Sequence, residues 1–150
     1  MSVVDLNGKI IAVDFDGTIV EHKYPAIGKE MMFAFSTLRA LQAKGHRLIL
    51  WTYRTGKELE EAVEYCKQNG FSFYAVNENF PGETEELTEY SRKLIADIFI
   101  DDRNVGGFLG WDVVWQTLHP EGKDYTHQLK NELAHLNYPT QKRAWFRRRK

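Results

Sequence analysis

The chain of 150 residues lacks the features of secreted and membrane proteins. It has one cysteine, Cys66, and therefore no intrachain disulfide framework. No apolar run approaches the roughly 20 residues that a membrane-spanning helix needs. The first residues, MSVVDLNGK, contain no basic segment followed by an apolar one, so we expect no signal peptide. These absences favour a cytoplasmic protein without a membrane partner.

The formal net charge of −1 hides an uneven distribution of basic residues. Residues 142–150, KRAWFRRRK, hold six of the 20 basic residues and no acidic one. Without this stretch, 14 basic residues stand against 21 acidic ones, a net charge of −7. Such a tail binds nucleic acid or an acidic partner, or it is a solvated terminus. We therefore divide the chain into a core domain, residues 1–137, and a basic tail, residues 138–150.

Strand-like and helix-like segments alternate along the core domain. Short apolar runs predict five strands, over residues 10–14, 47–52, 71–76, 95–101 and 112–115. Helical spacing of apolar residues predicts helices over residues 28–44, 56–69, 83–93 and 125–136. This alternation predicts an α/β fold with a mostly parallel five-stranded sheet and helices on both faces.

Polar side chains follow three of the predicted strands. They are, in chain order, Asp14, Asp16, Thr52, Asp101 and Asp102. The carboxyl ends of parallel strands meet at one edge of a sheet, so we expect these side chains to converge there. Clustered carboxylates repel one another unless a hard cation with oxygen ligands is bound between them. The pattern therefore predicts a magnesium site, with room for a phosphate beside it.

These residues resemble the motifs of the haloacid dehalogenase (HAD) superfamily of phosphotransferases. The first motif, DxDGT, stands as Asp14-Phe15-Asp16-Gly17-Thr18, and the second, a hydroxyl residue ending a strand, is Thr52. The third, a lysine, is best matched by Lys93, and the fourth is Asp101-Asp102. The resemblance covers about residues 10–115 and implies a three-layer Rossmann-like fold and a phosphatase of the HAD-like type.

The resemblance also implies catalytic roles. Asp14 would attack phosphorus and form an aspartyl-phosphate, and Asp16 would act as general acid and then general base. Thr52 and Lys93 would hold the phosphoryl oxygens. Two plainer interpretations stay open at this stage. Thr52 could cap the next helix, and Lys93 could be an exposed helical lysine with Arg92 as its substitute.

The implied cofactor is Mg²⁺. Asp14 and the backbone carbonyl of Asp16 would bind it, with Asp102 as a further direct ligand. Asp101 would bond nearby or through a water molecule, and the sequence leaves open which of the two neighbouring acids is the direct ligand. Together these oxygens form the hard ligand set that magnesium prefers.

Three more residues at the same sheet edge are candidate substrate contacts. Thr18 belongs to the first motif, and Asn77 follows the third predicted strand. Arg54 lies two residues after Thr52, and its planar guanidinium suits a second anionic group on the substrate. Each of them could instead be a loop or capping residue.

The chain is too short for a cap domain of the kind that many superfamily members insert. Neither the stretch after Gly17 nor the stretch from Thr52 to Lys93 has room for one, so the chain resembles the capless class. An open site favours hydrolysis, and it needs cover from a neighbouring subunit in a homo-oligomer or from a large substrate. Residues 21–27, EHKYPAI, are the local flap candidate.

The leading hypothesis is a magnesium-dependent phosphatase acting on a phosphorylated small molecule. A 5′-nucleotidase and a polynucleotide-end phosphatase are enzyme alternatives, the first because residues 95–104 look like the matching segment of the 5′-deoxyribonucleotidases. A phospho-acceptor signalling domain is an alternative of another class, against which the second acid, Asp16, argues. A nucleic-acid or protein-binding module with a vestigial site is the last alternative.

Overall fold

The computed structural model describes residues 8–84, 86 and 91–121. Short strands and helices alternate along this part of the chain. They are β1 (Ile10–Val13), α1 (Ala34–Ala43), β2 (Arg47–Leu50), α2 (Gly56–Gln68), β3 (Ala75–Val76), β4 (Ile98–Ile100) and α3 (Trp111–Leu118). The fold is therefore α/β, as the alternation predicts.

The four strands form one parallel sheet in the order β3-β2-β1-β4. Ile11 of β1 lies opposite Leu48 of β2 on one side and opposite Ile98 of β4 on the other. The chain moves outward from β1 to β2 and β3, and then crosses back to add β4 beside β1. The strand order reverses between β1 and β4, and ligands of open parallel sheets bind beyond the carboxyl ends of the strands at such a point.

The core lies on the face of the sheet where the helices pack. Ile11 and Val13 of β1 belong to the same buried cluster as residues from all three helices, whereas Ala12 belongs to a smaller cluster on the other face. Cys66 of α2 is part of the first cluster, and burial raises the pKa of its thiol to about 12. Among the described residues, the three helices therefore share one face, and helices on both faces are not confirmed.

The prediction of a fifth strand over residues 112–115 is wrong, because these residues lie in α3. The apolar run DVVW belongs to a longer segment in which Trp111, Val114 and Trp115 are buried. Their spacing of three and four residues places them on one side of a helix. A short apolar run does not distinguish a strand from a buried helix, and here the helical spacing is the one realised.

The first helix begins at Ala34 and not at residue 28, because the preceding residues pair with the segment after β1. Glu21 donates its backbone N–H to the carbonyl of Lys29 at 2.7 Å, and Met31 donates to Ile19 at 2.8 Å. Gly28 packs so closely on the carbonyl of Glu21 that a Cβ would overlap it. Residues 22–28 therefore form a loop with joined ends, called the pinched loop below.

The other elements are shorter than predicted, or fall outside the description. The third strand begins at Ala75 instead of residue 71, and the fourth spans Ile98–Ile100. The predicted helix over residues 83–93 lies partly outside the described residues. The predicted helix over residues 125–136 and the tail over residues 138–150 lie wholly outside them. No helix in the described part of the chain is long and apolar enough to cross a bilayer.

Candidate metal and phosphate site

Three carboxylates meet where the strand order reverses. Asp14 follows β1, and Asp101 and Asp102 follow β4. One oxygen from each of the three lies within 4.8 Å of the others. The backbone N–H of Asp14 donates to the carbonyl of Ile100 at 2.9 Å, which extends the β1–β4 pairing to the start of the site. The expected convergence of these acids is therefore present.

Asp14 is a buried carboxylate with little compensation from the protein. The pKa of Asp14 is raised to about 8, mainly by burial and in addition by the negative charges of Asp101 and Asp102. The hydroxyl of Thr18 donates to its Oδ2 at 3.1 Å, which acts in the opposite direction. Three carboxylate oxygens in one place are a hard, anionic ligand set, and such a set fits Mg²⁺.

The loop after β1 is shaped to let the two strand ends approach. Gly17 has φ of +86°, and a Cβ at this position would overlap the carboxylate of Asp102. The backbone carbonyl of Thr18 accepts a hydrogen bond of 2.8 Å from the indole N–H of Trp111, at the start of α3. Glycine is therefore required at position 17 by conformation and by space.

Asp16 lies in an environment opposite to that of Asp14. Its Oδ2 accepts a hydrogen bond from Nε of Arg54, and its Oδ1 accepts one from Nη2, each at 2.7 Å. The side chains of Arg54 and Asp16 are 0% and 1% exposed. The remaining guanidinium N–H groups donate to the carbonyls of Pro25, Ala26 and Glu58. All five N–H donors of Arg54 therefore have partners in the protein, and the predicted contact with an anionic group of the substrate would require one of them to be released.

Thr52 lies at the same edge, held by its neighbours. Its backbone N–H donates to Oδ1 of Asn77 at 2.8 Å, and its hydroxyl oxygen accepts the backbone N–H of Arg54 at 3.2 Å. The interpretation of Thr52 as a helix cap is wrong, since α2 begins after Thr55. Asn77, predicted as a substrate contact, uses its amide oxygen to position Thr52.

Lys93 is not brought to the carboxylates. Its side chain is exposed, and Nζ lies 6.0 Å from the ring centroid of Phe99, on the sheet face away from the helices. Within the described residues it forms no ion pair with the acids. Among the described residues, Arg103 forms an ion pair with these acids, with its Nε 3.9 Å from Oδ2 of Asp102 and its side chain exposed.

One solved structure, of a conserved protein from Bacteroides thetaiotaomicron, is similar to this chain. The two sequences are 53% identical, the TM-score is 0.71, and the match covers 77% of this chain and 93% of that one. The chain belongs to the same family as that protein. No family model matches the chain, and no curated protein matches it. Because the Bacteroides relative is described only as a conserved protein, an activity for this family member has to be inferred from its site.

The chain also has a stack of side chains that sequence reasoning did not find. The guanidinium carbon of Arg54 lies 5.1 Å from the ring centroid of Phe15 and 5.1 Å from that of Tyr24. Tyr24 in turn lies 5.1 Å from Tyr53. The position of Arg54 two residues after Thr52 pointed to this edge of the sheet, but no spacing along the chain indicated its partners.

Proposed function

We propose that the protein is a magnesium-dependent phosphatase of the HAD-like type with a Rossmann-like core, and that it hydrolyses a phosphomonoester through Asp14. The observation that supports this most directly is the convergence of three carboxylate oxygens within 4.8 Å at the carboxyl ends of β1 and β4. A cluster of like charges around the buried Asp14, with Asp101 and Asp102 half-buried, is costly unless a cation is bound. Such a cluster is expected where a protein holds a metal and a phosphate together.

The metal would be held by Asp14, Asp101 and Asp102, with the backbone carbonyl of Asp16 as a further ligand. Bound there, Mg²⁺ would offset the negative charge of the carboxylates and of the phosphate. The chain itself would supply the nucleophile. Thr18 binds one oxygen of Asp14 at 3.1 Å, which leaves the other oxygen for attack. The hydroxyl of Thr52 would donate to a phosphoryl oxygen.

The proposed reaction has two steps. In the first, an oxygen of Asp14 bonds to phosphorus, and the bond from phosphorus to the leaving oxygen breaks. In the second, water attacks the aspartyl-phosphate, the bond from phosphorus to Asp14 breaks, and inorganic phosphate leaves. Asp16 would give a proton to the leaving oxygen and later take one from water, and for this its carboxylate has to separate from Arg54.

That requirement favours a second candidate function, a phospho-acceptor domain. Both oxygens of Asp16 accept hydrogen bonds from Arg54, and the side chain is 1% exposed. If the pair stays closed, Asp16 does not reach the water that attacks the aspartyl-phosphate. The modified Asp14 would then persist, as a signal requires.

One experiment separates these functions. Release of phosphate from para-nitrophenyl phosphate is measured with Mg²⁺ and with chelator, for wild type, Asp14→Asn and Glu61→Gln. The last variant makes the same acid-to-amide change on the exposed surface of α2. Magnesium-dependent release that Asp14→Asn lowers by about 10³-fold or more, and Glu61→Gln leaves intact, supports the phosphatase.

Retention of the phosphoryl group is measured on the same proteins with acetyl phosphate as donor. Stable labelling that Asp14→Asn removes, without turnover, supports the phospho-acceptor. Neither turnover nor labelling would contradict both proposals.

A further inference from the structure

Two exposed aromatic rings lie beside Thr52, and the proposed chemistry does not use them. Tyr24 is 44% exposed and Tyr53 is 58% exposed. Their ring centroids are 5.1 Å apart, with an angle of 54° between the planes. Single exposed aromatic residues are ordinary, but two in contact at the edge of a polar site offer a continuous surface for a planar ligand.

The ring of Tyr24 is held in place by Arg54, and the ring of Tyr53 contacts that of Tyr24. The ring of Tyr24 contacts the guanidinium of Arg54, which is fully buried and hydrogen-bonded at every N–H group. Arg54 also binds the carbonyls of Pro25 and Ala26, so the segment that follows Tyr24 is fixed to the same side chain. A ligand that stacks on such a surface does not bear the full entropic cost of ordering it.

Tyr53 is also close to the edge of the sheet that carries the candidate site. It lies between Thr52 and Arg54, both of which are buried. Desolvation raises the pKa of the Tyr53 phenol, and the negative charge of Asp16 raises it further. The exposed rings are therefore an uncharged, apolar surface next to a strongly anionic site.

We infer that Tyr24 and Tyr53 form a subsite for a planar aromatic group of the phosphorylated substrate. This inference rests on the proposed function, because the phosphate bound near Asp14 determines where the rest of the substrate lies. The aromatic group is either an aryl ring bonded directly to the phosphate oxygen or a nucleobase one sugar away. Stacking on these rings would supply the specificity that a site without a cap domain otherwise lacks.

The test compares three phosphomonoesters that differ in their aromatic group. They are para-nitrophenyl phosphate, adenosine monophosphate and glycerol phosphate, of which the last has no ring. Each is assayed with wild type, Tyr53→Leu, Tyr24→Leu and Tyr53→Phe. Tyr74→Leu makes the same change at the amino end of the strands, where that ring contacts Arg47 at 5.4 Å, and serves as the matched control.

We expect Tyr53→Leu and Tyr24→Leu to raise KM for an aromatic substrate by about tenfold, the order of one lost stacking contact, with kcat little changed. KM for glycerol phosphate should stay the same, and Tyr53→Phe and Tyr74→Leu should behave as wild type. An effect confined to para-nitrophenyl phosphate identifies an aryl substrate, and one confined to the mononucleotide identifies a nucleobase. An equal effect on glycerol phosphate, or no effect on either aromatic substrate, overturns the inference.

A binding measurement distinguishes failure of the proposed phosphatase function from failure of the aromatic subsite. Calorimetry gives Kd for the same three compounds on Asp14→Asn protein, with and without the tyrosine changes, and needs no turnover. If wild type hydrolyses none of the three compounds but Tyr53→Leu weakens aromatic binding alone, the phosphatase is contradicted and the aromatic subsite is not. If hydrolysis depends on Asp14 but neither tyrosine substitution changes Kd for the aromatic compounds, only the subsite is contradicted.

Discussion

Asp14 and Asp16 leave the same strand two residues apart, and the protein surrounds them in opposite ways. Asp16 is neutralised within the chain by two hydrogen bonds of 2.7 Å from a buried guanidinium. Asp14 receives hydrogen bonds from the Thr18 hydroxyl and the Phe15 backbone N–H but, within the described part of the chain, from no cation, and it faces two further carboxylates. The first arrangement closes a structural ion pair. The second keeps Asp14 protonated up to about pH 8 unless a cation is bound, and this contrast is what makes the three acids a candidate metal site.

The change with the largest expected effect is Arg54→Met, which would make Asp16 resemble Asp14. Removing one partner of a buried pair leaves an uncompensated charge, and we expect a loss of about 3–5 kcal/mol in the free energy of unfolding. Urea unfolding measures it. The double variant with Asp16→Leu should recover part of the loss, because no charge is then buried. A loss below about 1 kcal/mol would show that the pair is not fully desolvated.

The next change, Asp14→Asn, removes the charge that lacks compensation. The folded protein holds a proton on Asp14 up to about pH 8, whereas an ordinary aspartic acid titrates near 3.8. The contribution of Asp14 to the stability of the metal-free wild type is therefore full below about pH 4 and declines as the pH rises towards 8. Asn cannot ionise, so in chelator at pH 8 we expect the variant to be more stable by about 2–4 kcal/mol.

The measurement for Asp14→Asn is urea unfolding of both proteins at pH 5 and pH 8 in chelator. All other ionisable groups are common to the two proteins, so the difference between their stabilities isolates the effect of the charge on Asp14. Added Mg²⁺ should stabilise wild type more than the variant. An identical pH dependence in the two proteins would contradict the uncompensated state of Asp14.

A smaller effect is expected from Gly17→Ala, which changes the turn that follows Asp14 and Asp16 and contacts Asp102. The residue would have to adopt φ of +86° and push the carboxylate of Asp102 away. We expect a loss of about 2–3 kcal/mol, since conformational strain and overpacking add. Gly82→Ala is the matched control, because its φ is +81° with no atom within 4 Å of a Cβ. Equal losses in the two variants would mean that contact with Asp102 contributes nothing.

The smallest expected effect belongs to Trp111→Phe, which removes the hydrogen bond to the carbonyl of Thr18 and keeps an aromatic ring in place. A single hydrogen bond of this kind contributes about 1 kcal/mol to stability. Thermal unfolding measures the loss, with Trp51→Phe as a control in the smaller cluster on the other sheet face. The affinity for Mg²⁺, measured by calorimetry, should fall as well, because the loop that positions Asp14 is loosened. Unchanged affinity would assign Trp111 to the core alone.

The sequence predicted the acidic cluster because it needs only local information. Apolar runs mark where β1 and β4 end, and parallel strands bring those ends together. The partner of Asp16 could not be predicted, because Arg54 lies 38 residues away in the sequence and no periodicity links the two. A guanidinium near a proposed phosphate site suggested an anionic ligand, and the anion it binds belongs to the protein.

The secondary structure likewise divides into elements that local sequence predicts and elements that depend on distant contacts. The second helix was predicted within one residue of its observed bounds, because its apolar side is regular and Gly70 follows it. The predicted start of α1 and the predicted strand over residues 112–115 were wrong, because both segments are determined by tertiary contacts. The segment before α1 pairs with residues 19–21, and α3 buries Trp111 beneath the loop of the site.

The pinched loop has a consequence for how this protein can change in length. Residues 22–26 are exposed, and the loop enters and leaves at one point, where Glu21 bonds to Lys29. Doubling the length of a loop closed in this way costs only about 0.6 kcal/mol in closure entropy. An inserted module between His22 and Lys23 would leave the sheet register untouched and stand beside Tyr24. The pinched loop is thus an attachment point beside the candidate site, where a further domain could be acquired at little cost to folding.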